Sequence, residues 1–285
     1  MAVFVGKLAP GHRTPPKKPL STLIDEEHFS DEEETDDSPG SVAEFKGRVA
    51  LIASPIGNLG DLSQRARERL EASDVICCED TRHSVRLLKH YAVPRKTLIS
   101  LHDRNEAARS EEVIERARAG EAIAVLSDAG MPTVSDPGYR LVRACIDAEV
   151  PVDVLPGPSA VLAALAGSGL PTDAFYFGGF LPQKSGKRER ELAGAIERPA
   201  TSIFFESPYR IGKTLSALAK LDPDRAVCVA RELTKKFETF HRGTAADLAK
   251  DFTQHPRKGE MTVVIEGASR RKQHKGRNKD TGNRD

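Results

Sequence analysis

Short apolar runs alternate with amphipathic segments through the first half of the chain. Buried strands are predicted at GRVALIAS, DVICCE, TLISL, AIAVLS and PVDVLP. Helices are predicted between or after them at QRARERLEA, TRHSVRLLKHY, NEAARSEEVIERARAG, GYRLVRACIDAEV and SAVLAALAGSG. Strands separated by helices form right-handed βαβ units, so residues 46–170 are predicted to form an N-terminal α/β domain with a mostly parallel sheet and flanking helices.

The pattern changes after residue 170. Strands are predicted at AFYFGGFLP, TSIFFES, RAVCVARELT, ETFHRG and GEMTVVIEG, with helices near residues 187–197, 209–220 and 245–252. A hairpin between VARELT and FETFHRG favours a mixed sheet. Residues 171–267 are therefore predicted to form a C-terminal α+β domain, and a cleft between the two domains is the default place for a ligand.

Charge is segregated at the two ends, although the formal net charge is only +1. Residues 21–40 carry nine carboxylates and almost no aliphatic side chains, so the acidic extension, residues 1–45, is predicted to be disordered. The basic tail, residues 268–285, is also predicted to be disordered. Its Lys and Arg residues suit a polyanion, although a purely solubilising tail is an equal alternative.

The composition favours a soluble globular protein over a membrane-spanning or secreted one. With 39% hydrophobic and 30% charged residues, the chain is expected to be soluble and globular. No window has the roughly 18 apolar residues of a membrane span and no signal peptide is recognised, so a cytoplasmic location is expected. The four Cys lie in apolar runs, which indicates buried structural thiols, and no metal site is predicted.

Residues that break helices and strands follow directly after three predicted strands. Gly and Pro are combined there in SPIGNLGDL (54–62), LSDAGMPTVSDPG (126–138) and LPGPSA (155–160). The carboxyl ends of parallel strands meet at one edge of a sheet, so these loops are predicted to form a ligand site. SPIGNLGDL resembles a phosphate-cradling loop, but it matches neither GxGxxG nor GxxxxGK[ST], which excludes the standard nucleotide motifs.

Charged side chains accompany these loops. CEDTRHS places Glu79 and Asp80 after a strand, where either could be a base or a metal ligand and Asp80 could cap the next helix. On that helix Arg82 and Arg86 form a basic face, which favours an anionic substrate or is simply solvated. The second half adds, at its own loops, Lys184, Lys187, Arg188, Glu206 and Arg210.

Seven motifs together carry a family resemblance. They are ASPIGNLGDL, CEDTRHS, LSDAGMPTVSDPGYRLVRAC, LPGPSAVLAALAGSGLPTD, GFLPQKSGKR, FESPYR and ARELTKKFE. In this order and spacing they resemble the ribosomal RNA small subunit methyltransferase I family of the tetrapyrrole (corrin/porphyrin) methylase superfamily, over roughly residues 46–267. Two departures are Met131, where the family commonly has Thr, and Tyr209, where it commonly has His; the second weakens any scheme with a histidine base there.

The resemblance implies a function and a set of partners. It implies a two-domain tetrapyrrole-methylase-like fold, a homodimer, and S-adenosylmethionine as the methyl donor. The reaction it implies is 2'-O-methylation of a cytidine in the decoding region of 16S rRNA, with the small ribosomal subunit as the partner.

The resemblance also implies roles for individual residues, because SDAGMP matches the cofactor loop of the superfamily. Cofactor binding is expected at Pro55, Gly57, Asp128, Ala129, Gly130, Thr133, Val134, Ser135, Pro156 and Gly157. RNA binding is expected at Arg82, Arg86, Lys184, Lys187, Arg188 and Arg210. Glu79, Asp80 and Glu206 remain alternatives for the catalytic base, because the sequence does not choose among them.

Two other functions are compatible with the residues. A small-molecule methylase of the tetrapyrrole type would prefer an apolar pocket, and a chain with no Trp and 5% aromatic residues offers little surface for stacking a macrocycle. A non-catalytic RNA-binding or ribosome-binding module could use the basic face and the tail. Only an enzyme should be stabilised by S-adenosylmethionine, by about 2.7 kcal/mol at 100 times the dissociation constant.

Overall fold

Two five-stranded sheets organise the part of the chain that the structure, a computed structural model, describes, residues 45–268. All ten strands and eight helices predicted from the sequence are found in that range, with small shifts at their ends. The acidic extension, residues 1–45, and the basic tail, residues 268–285, lie outside the described residues except for one residue each.

The first sheet is entirely parallel and has the order β3-β2-β4-β1-β5. Its strands are β1 (Val49–Ile52), β2 (Val75–Cys78), β3 (Thr97–Ser100), β4 (Ile123–Leu126) and β5 (Val152–Leu155). The helices that follow them are α1 (Gln64–Ala72), α2 (Thr81–His90), α3 (Glu106–Arg118), α4 (Tyr139–Asp147) and α5 (Ala160–Ser168). The three central strands are buried at every position, which explains why their sequences are apolar without alternation.

The strand order brings the three Gly/Pro loops together. Strands β4, β1 and β5 are neighbours in the sheet and parallel, so the loops that leave their carboxyl ends lie side by side. Side-chain caps fix where two of the adjacent helices begin: Ser63 accepts from the Ala66 amide and Ser159 from the Leu162 amide. The predicted adjacency of these three loops is confirmed.

The second sheet is mixed and has the order β6-β7-β10-β8-β9. Its strands are β6 (Phe175–Phe180), β7 (Thr201–Glu206), β8 (Ala226–Arg231), β9 (Thr239–Thr244) and β10 (Met261–Ile265), and the helices between them are α6 (Ser185–Glu197), α7 (Ile211–Leu221) and α8 (Ala245–Gln254). Only β6 and β7 pair in parallel, and β8 and β9 form the predicted hairpin. The expected α/β fold with a parallel and a mixed sheet is confirmed.

Helix α5 connects the two sheets. It begins beside the first sheet, yet its buried residues Val161, Ala164 and Leu165 share a core cluster with Ile203 and Val264 of the second sheet. The opposite face of that sheet packs against α6, α7 and α8. The domain boundary proposed at residue 170 therefore falls after a helix that packs on the second sheet.

The four cysteines are buried free thiols, as interpreted from their apolar surroundings. Burial raises the pKa of Cys77 to about 12, so this thiol is protonated and unreactive at neutral pH. Among residues 45–268, the longest apolar helices fall short of what crossing a membrane requires.

Candidate active site at the carboxyl edge of the first sheet

A cavity of about 620 Å³ lies where the loops of the first sheet face the second sheet, and we call it the central cavity. The first sheet contributes the loop after β4, residues 129–136, and the start of α5. The second sheet contributes the ends of β7 and β8 and the start of β10. The volume and the mixture of apolar walls with a few polar groups are typical of a site for a small ligand or cofactor.

The loop after β4 is held in an unusual backbone conformation. Gly130 exchanges two hydrogen bonds of 3.0 Å with the backbone of Ser54, and its carbonyl accepts a third from Ser127 Oγ at 2.5 Å. Thr133 and Ser135 have φ values of +74° and +64°, in the left-handed region that residues with side chains rarely occupy. Such strain persists only where neighbouring contacts enforce it, and it is concentrated at functional sites.

The predicted cofactor residues divide into two groups. Those that line the cavity are Ala129, Gly130, Val134 and Ser135. Those that do not line it are Pro55, Gly57, Asp128, Thr133, Pro156 and Gly157. Two of the glycines serve close packing: a Cβ on Gly157 would lie 2.7 Å from Ala53 Cβ, and one on Gly57 would collide with Lys235 Cγ.

Asp136 is the carboxylate placed best for chemistry. It lines both the central cavity and a small adjoining pocket that it shares with Glu79. Its Oδ2 is buried and has no hydrogen-bond partner within the described residues. Burial, with smaller contributions from Glu79 and Asp128, raises the pKa of Asp136 to about 6, and burial also raises the pKa of Glu79.

The sequence reasoning did not select Asp136. The signal was present, because Asp136 belongs to the second of the two Ser-Asp pairs in LSDAGMPTVSDPG. Only the first pair matched the cofactor motif, and nothing in the sequence shows that the second carboxylate is buried and unpartnered.

The other two acidic candidates are engaged by the protein. Glu206 has a fully buried side chain that accepts hydrogen bonds from the Ser207 amide at 2.7 Å and Thr214 Oγ1 at 2.6 Å, and it pairs with Arg210 at 2.6 Å. Asp80 caps α2 by accepting from the Arg82 amide, and the Arg82 side chain lowers the pKa of Asp80.

The predicted RNA-binding residues differ in how available they are. Arg86, Lys184 and Lys187 are exposed, and Arg82 is exposed while pairing with Asp80 at 3.3 Å. Arg188 is buried and donates to the carbonyls of Pro182 and Gln183, while Arg210 is held by Glu206. These six residues lie outside the lining of the central cavity.

A polar loop after β8 also lines the cavity, although the sequence analysis gave its residues no role. Lys235 pairs with Glu232 at 3.0 Å and with Glu260 at 2.9 Å, and Glu232 accepts from the Glu260 amide. Glu232 and Thr234 have φ values of +53° and +63°. ARELTKKFE, the motif that contains this loop, is one of the seven that carry the resemblance, and that was the available signal.

Comparison with known proteins places the chain in a family. The family model of Tetrapyrrole (Corrin/Porphyrin) Methylases matches residues 48–249. The ribosomal RNA small subunit methyltransferase I of Xylella fastidiosa is 46% identical over 226 residues, which cover 78% of this chain and 82% of that protein. The chain belongs to this methyltransferase family. The member from Escherichia coli O157:H7 is 44% identical, with 78% of each chain covered.

Two solved structures of other proteins share the fold. Uroporphyrin-III C-methyltransferase from Thermus thermophilus, crystallised with S-adenyl homocysteine, matches with a TM-score of 0.54 at 20% identity and covers 79% of this chain and 99% of its own. Diphthine synthase matches with a TM-score of 0.56 at 16% identity, over 76% and 89% of the two chains. At these identities the likeness concerns the fold alone.

Proposed function

We propose that this chain, as a member of the ribosomal RNA small subunit methyltransferase I family, transfers the methyl group of S-adenosylmethionine to the 2'-oxygen of a cytidine in the decoding region of 16S rRNA. The observation that carries this proposal is the central cavity, lined by a strained loop and an unpartnered carboxylate, in a chain 44–46% identical to proteins of that name.

The residues around the cavity fit the cofactor. A volume of about 620 Å³ accommodates a nucleoside, and apolar walls from Ile56, Val134 and Val161 suit a purine ring. The buried, unpartnered Oδ2 of Asp136, with Glu79 and Asp128 nearby, gives this edge a negative field that complements a sulfonium cation. When bound, S-adenosylmethionine supplies an activated methyl group. The backbone of residues 129–135 and the start of α5 would hold it.

Asp136 is the base in this proposal. Oxygen attacks a methyl group efficiently only if the hydroxyl proton leaves during the reaction, and a carboxylate beside the cavity can accept it. A pKa of about 6 leaves Asp136 mostly ionised at neutral pH yet more basic than an ordinary aspartate. Glu79 shares the adjoining pocket and acts by raising the pKa of Asp136.

Glu206 and Asp80 are assigned other roles. Glu206 already accepts from three donors and is buried, so a proton transfer at its carboxylate would disrupt the turn after β7. Asp80 is committed to the amino end of α2. Both residues therefore position the site in this proposal without taking part in the reaction.

Exposed basic residues would bind the RNA. Arg82, Arg86, Lys184 and Lys187 are available for phosphate contacts, which fix position and contribute affinity that falls with salt. Arg188 and Arg210 would not contact RNA but would stabilise the loops that carry these basic residues, through their own bonds to backbone carbonyls and to Glu206.

We also propose that the protein acts as a homodimer on small ribosomal subunits in the cytoplasm. Val154 on the edge strand β5 and Leu162 on α5 are 58% and 54% exposed, and a second copy would cover such apolar side chains. Sedimentation velocity at micromolar concentration should show a dimer, and a monomer at every concentration would contradict this part.

The decisive experiment is tritiated methyl transfer to small subunits that lack the modification, followed by nuclease mapping of the label. Label on the 2'-oxygen of a decoding-region cytidine is the expected result. Absence of label on both subunits and free rRNA, with S-adenosylhomocysteine binding intact, would move the substrate to a small molecule and contradict the proposal.

A further inference from the structure

A second concave surface lies on the outer side of the mixed sheet. This groove, of about 730 Å³, runs between α6, α7, α8 and the segment after α8. We call it the outer groove. Its lining residues include, as charged or aromatic members, Arg188, Glu189, Tyr209, Lys213, Lys220, Phe252, Arg257 and Lys258.

The outer groove carries unneutralised positive charge. Lys213 and Lys220 are exposed, lie seven residues apart on one face of α7, and form no ion pair with the described residues. The same holds for Lys258 on the facing segment. Arg188 is 8% exposed, and its guanidinium donates only to backbone carbonyls, so no described carboxylate balances its charge.

Acidic residues neutralise only part of the positive charge of the outer groove. Arg257 pairs with Asp251 at 2.9 Å, so its charge is already neutralised and does not add to the positive charge of the groove. Glu189 is the one acidic residue among the described lining of the groove. Four cations against one free carboxylate leave a surface that attracts a polyanion.

The outer groove adjoins the central cavity. Pro208 lines both, and Lys258 directly precedes Gly259, which lines the cavity. Tyr209, next to Pro208, is 85% exposed, so its ring is free to stack against a ligand. An aromatic side chain beside a row of lysines is the combination that binds single-stranded nucleic acid by stacking and phosphate contact.

We propose that the outer groove binds the single-stranded RNA next to the target nucleotide, with Lys213, Lys220 and Lys258 on phosphates and Tyr209 stacking on a base near the cavity mouth. This inference rests on the proposed function, because it requires an RNA substrate. It assigns RNA contacts to Lys213, Lys220 and Lys258, to which the sequence analysis gave no role because these lysines come from separate segments and lie outside the seven motifs.

The test is binding of a short fluorescein-labelled single-stranded RNA by the full chain, measured by anisotropy over a series of salt concentrations. Lys213→Gln, Lys220→Gln and Lys258→Gln should each weaken binding about three- to ten-fold and reduce the slope of log affinity against log salt by about 0.7. Tyr209→Ala should weaken binding about 5- to 100-fold with little change in slope, and Tyr209→Phe should retain most of the affinity.

Arg65→Gln is the matched control. Arg65 is an exposed cation without a described ion pair, and it lines a different concave surface, beside β5, that shares no residue with the central cavity. Its loss should change RNA affinity less than about two-fold, the effect of one distant charge. Thermal unfolding of every variant shows whether the fold is kept.

Two outcomes separate this inference from the proposed function. If the wild-type chain methylates small subunits while the three lysine variants and Tyr209→Ala bind RNA with unchanged affinity and slope, the outer groove is not an RNA site. The proposed function then stands, and an acidic protein partner becomes the alternative occupant. If the wild-type chain methylates neither subunits nor RNA, the proposed function fails first and the inference falls with it.

Discussion

Asp136 and Glu206 lie beside the same cavity but are in opposite situations. Both border the central cavity, Glu206 as the last residue of β7 and Asp136 in the loop between β4 and α4. Glu206 is saturated by an amide, a hydroxyl and a guanidinium, whereas Asp136 Oδ2 is buried without a partner in the described range. The comparison teaches that hydrogen-bond saturation, more than a place beside the cavity, separates a structural carboxylate from a candidate base.

The largest expected effect is loss of methyl transfer in Asp136→Asn. Removing a general base should lower kcat about 10²- to 10⁴-fold while S-adenosylhomocysteine binding by calorimetry stays near wild type. Asp103→Asn removes an exposed carboxylate from the same edge of the sheet and should change kcat less than about three-fold. A large rise in the dissociation constant of the cofactor, with kcat preserved, would assign Asp136 to cofactor binding instead.

Glu206→Gln should show the opposite pattern. It leaves Arg210 without its charge partner at a buried position, which should lower the free energy of unfolding by about 2–4 kcal/mol in urea denaturation. Methyl transfer by the fraction that remains folded should be close to wild type. A stable variant with a 10²-fold lower kcat would reverse the two assignments.

Asp136→Asn should also stabilise the protein in a pH-dependent way. The folded-state pKa of about 6 exceeds the ordinary value of 3.8, so ionising Asp136 costs folding free energy, and stability is lost as the pH rises from about 4 to about 6. Asn does not ionise, so Asp136→Asn does not carry the free-energy cost of a buried charge. It should be about 1–3 kcal/mol more stable than wild type at pH 7.5 and equal to it near pH 4, which thermal unfolding at both pH values would reveal.

Asp80→Ala should have a modest effect on stability alone. Loss of the cap on α2 should lower Tm by about 1–4 °C. Methyl transfer at a temperature well below Tm should be retained, since Asp80 takes no proton in the proposed reaction. A loss of activity that exceeds the loss of folded protein would restore Asp80 as a candidate base.

Glu79→Gln should give the smallest change. Removing this carboxylate lowers the pKa of Asp136, so the acid limb of the pH profile of kcat should move down by a few tenths of a pH unit. The maximum rate should stay within about three-fold of wild type. A loss of two orders of magnitude at all pH values would identify Glu79 as the base.

The sequence was sufficient for the elements and for the edge of the sheet where the candidate site lies. The apolar runs, the helix caps such as Ser63, and the Gly/Pro loops are local signals, and the fold keeps them. The roles of individual carboxylates were not predictable, because they depend on partners that folding supplies. Thr214, which donates to Glu206, lies one helix turn into α7, and the burial of Asp136 arises from loops that are distant in sequence.

Helix α5 has a practical consequence for dividing the molecule. A cut at residue 170 would remove Val161, Ala164 and Leu165 from the second sheet and expose the apolar faces of Ile203 and Val264 to water. A fragment intended to fold by itself should therefore begin before Ser159, so that it contains α5 and its capping residue together with the mixed sheet. Ser159 and Val161 also border the central cavity, so a ligand bound there contacts residues of both sheets. Because the ligand stabilises only the folded state, it should make the two sheets unfold together in one thermal transition.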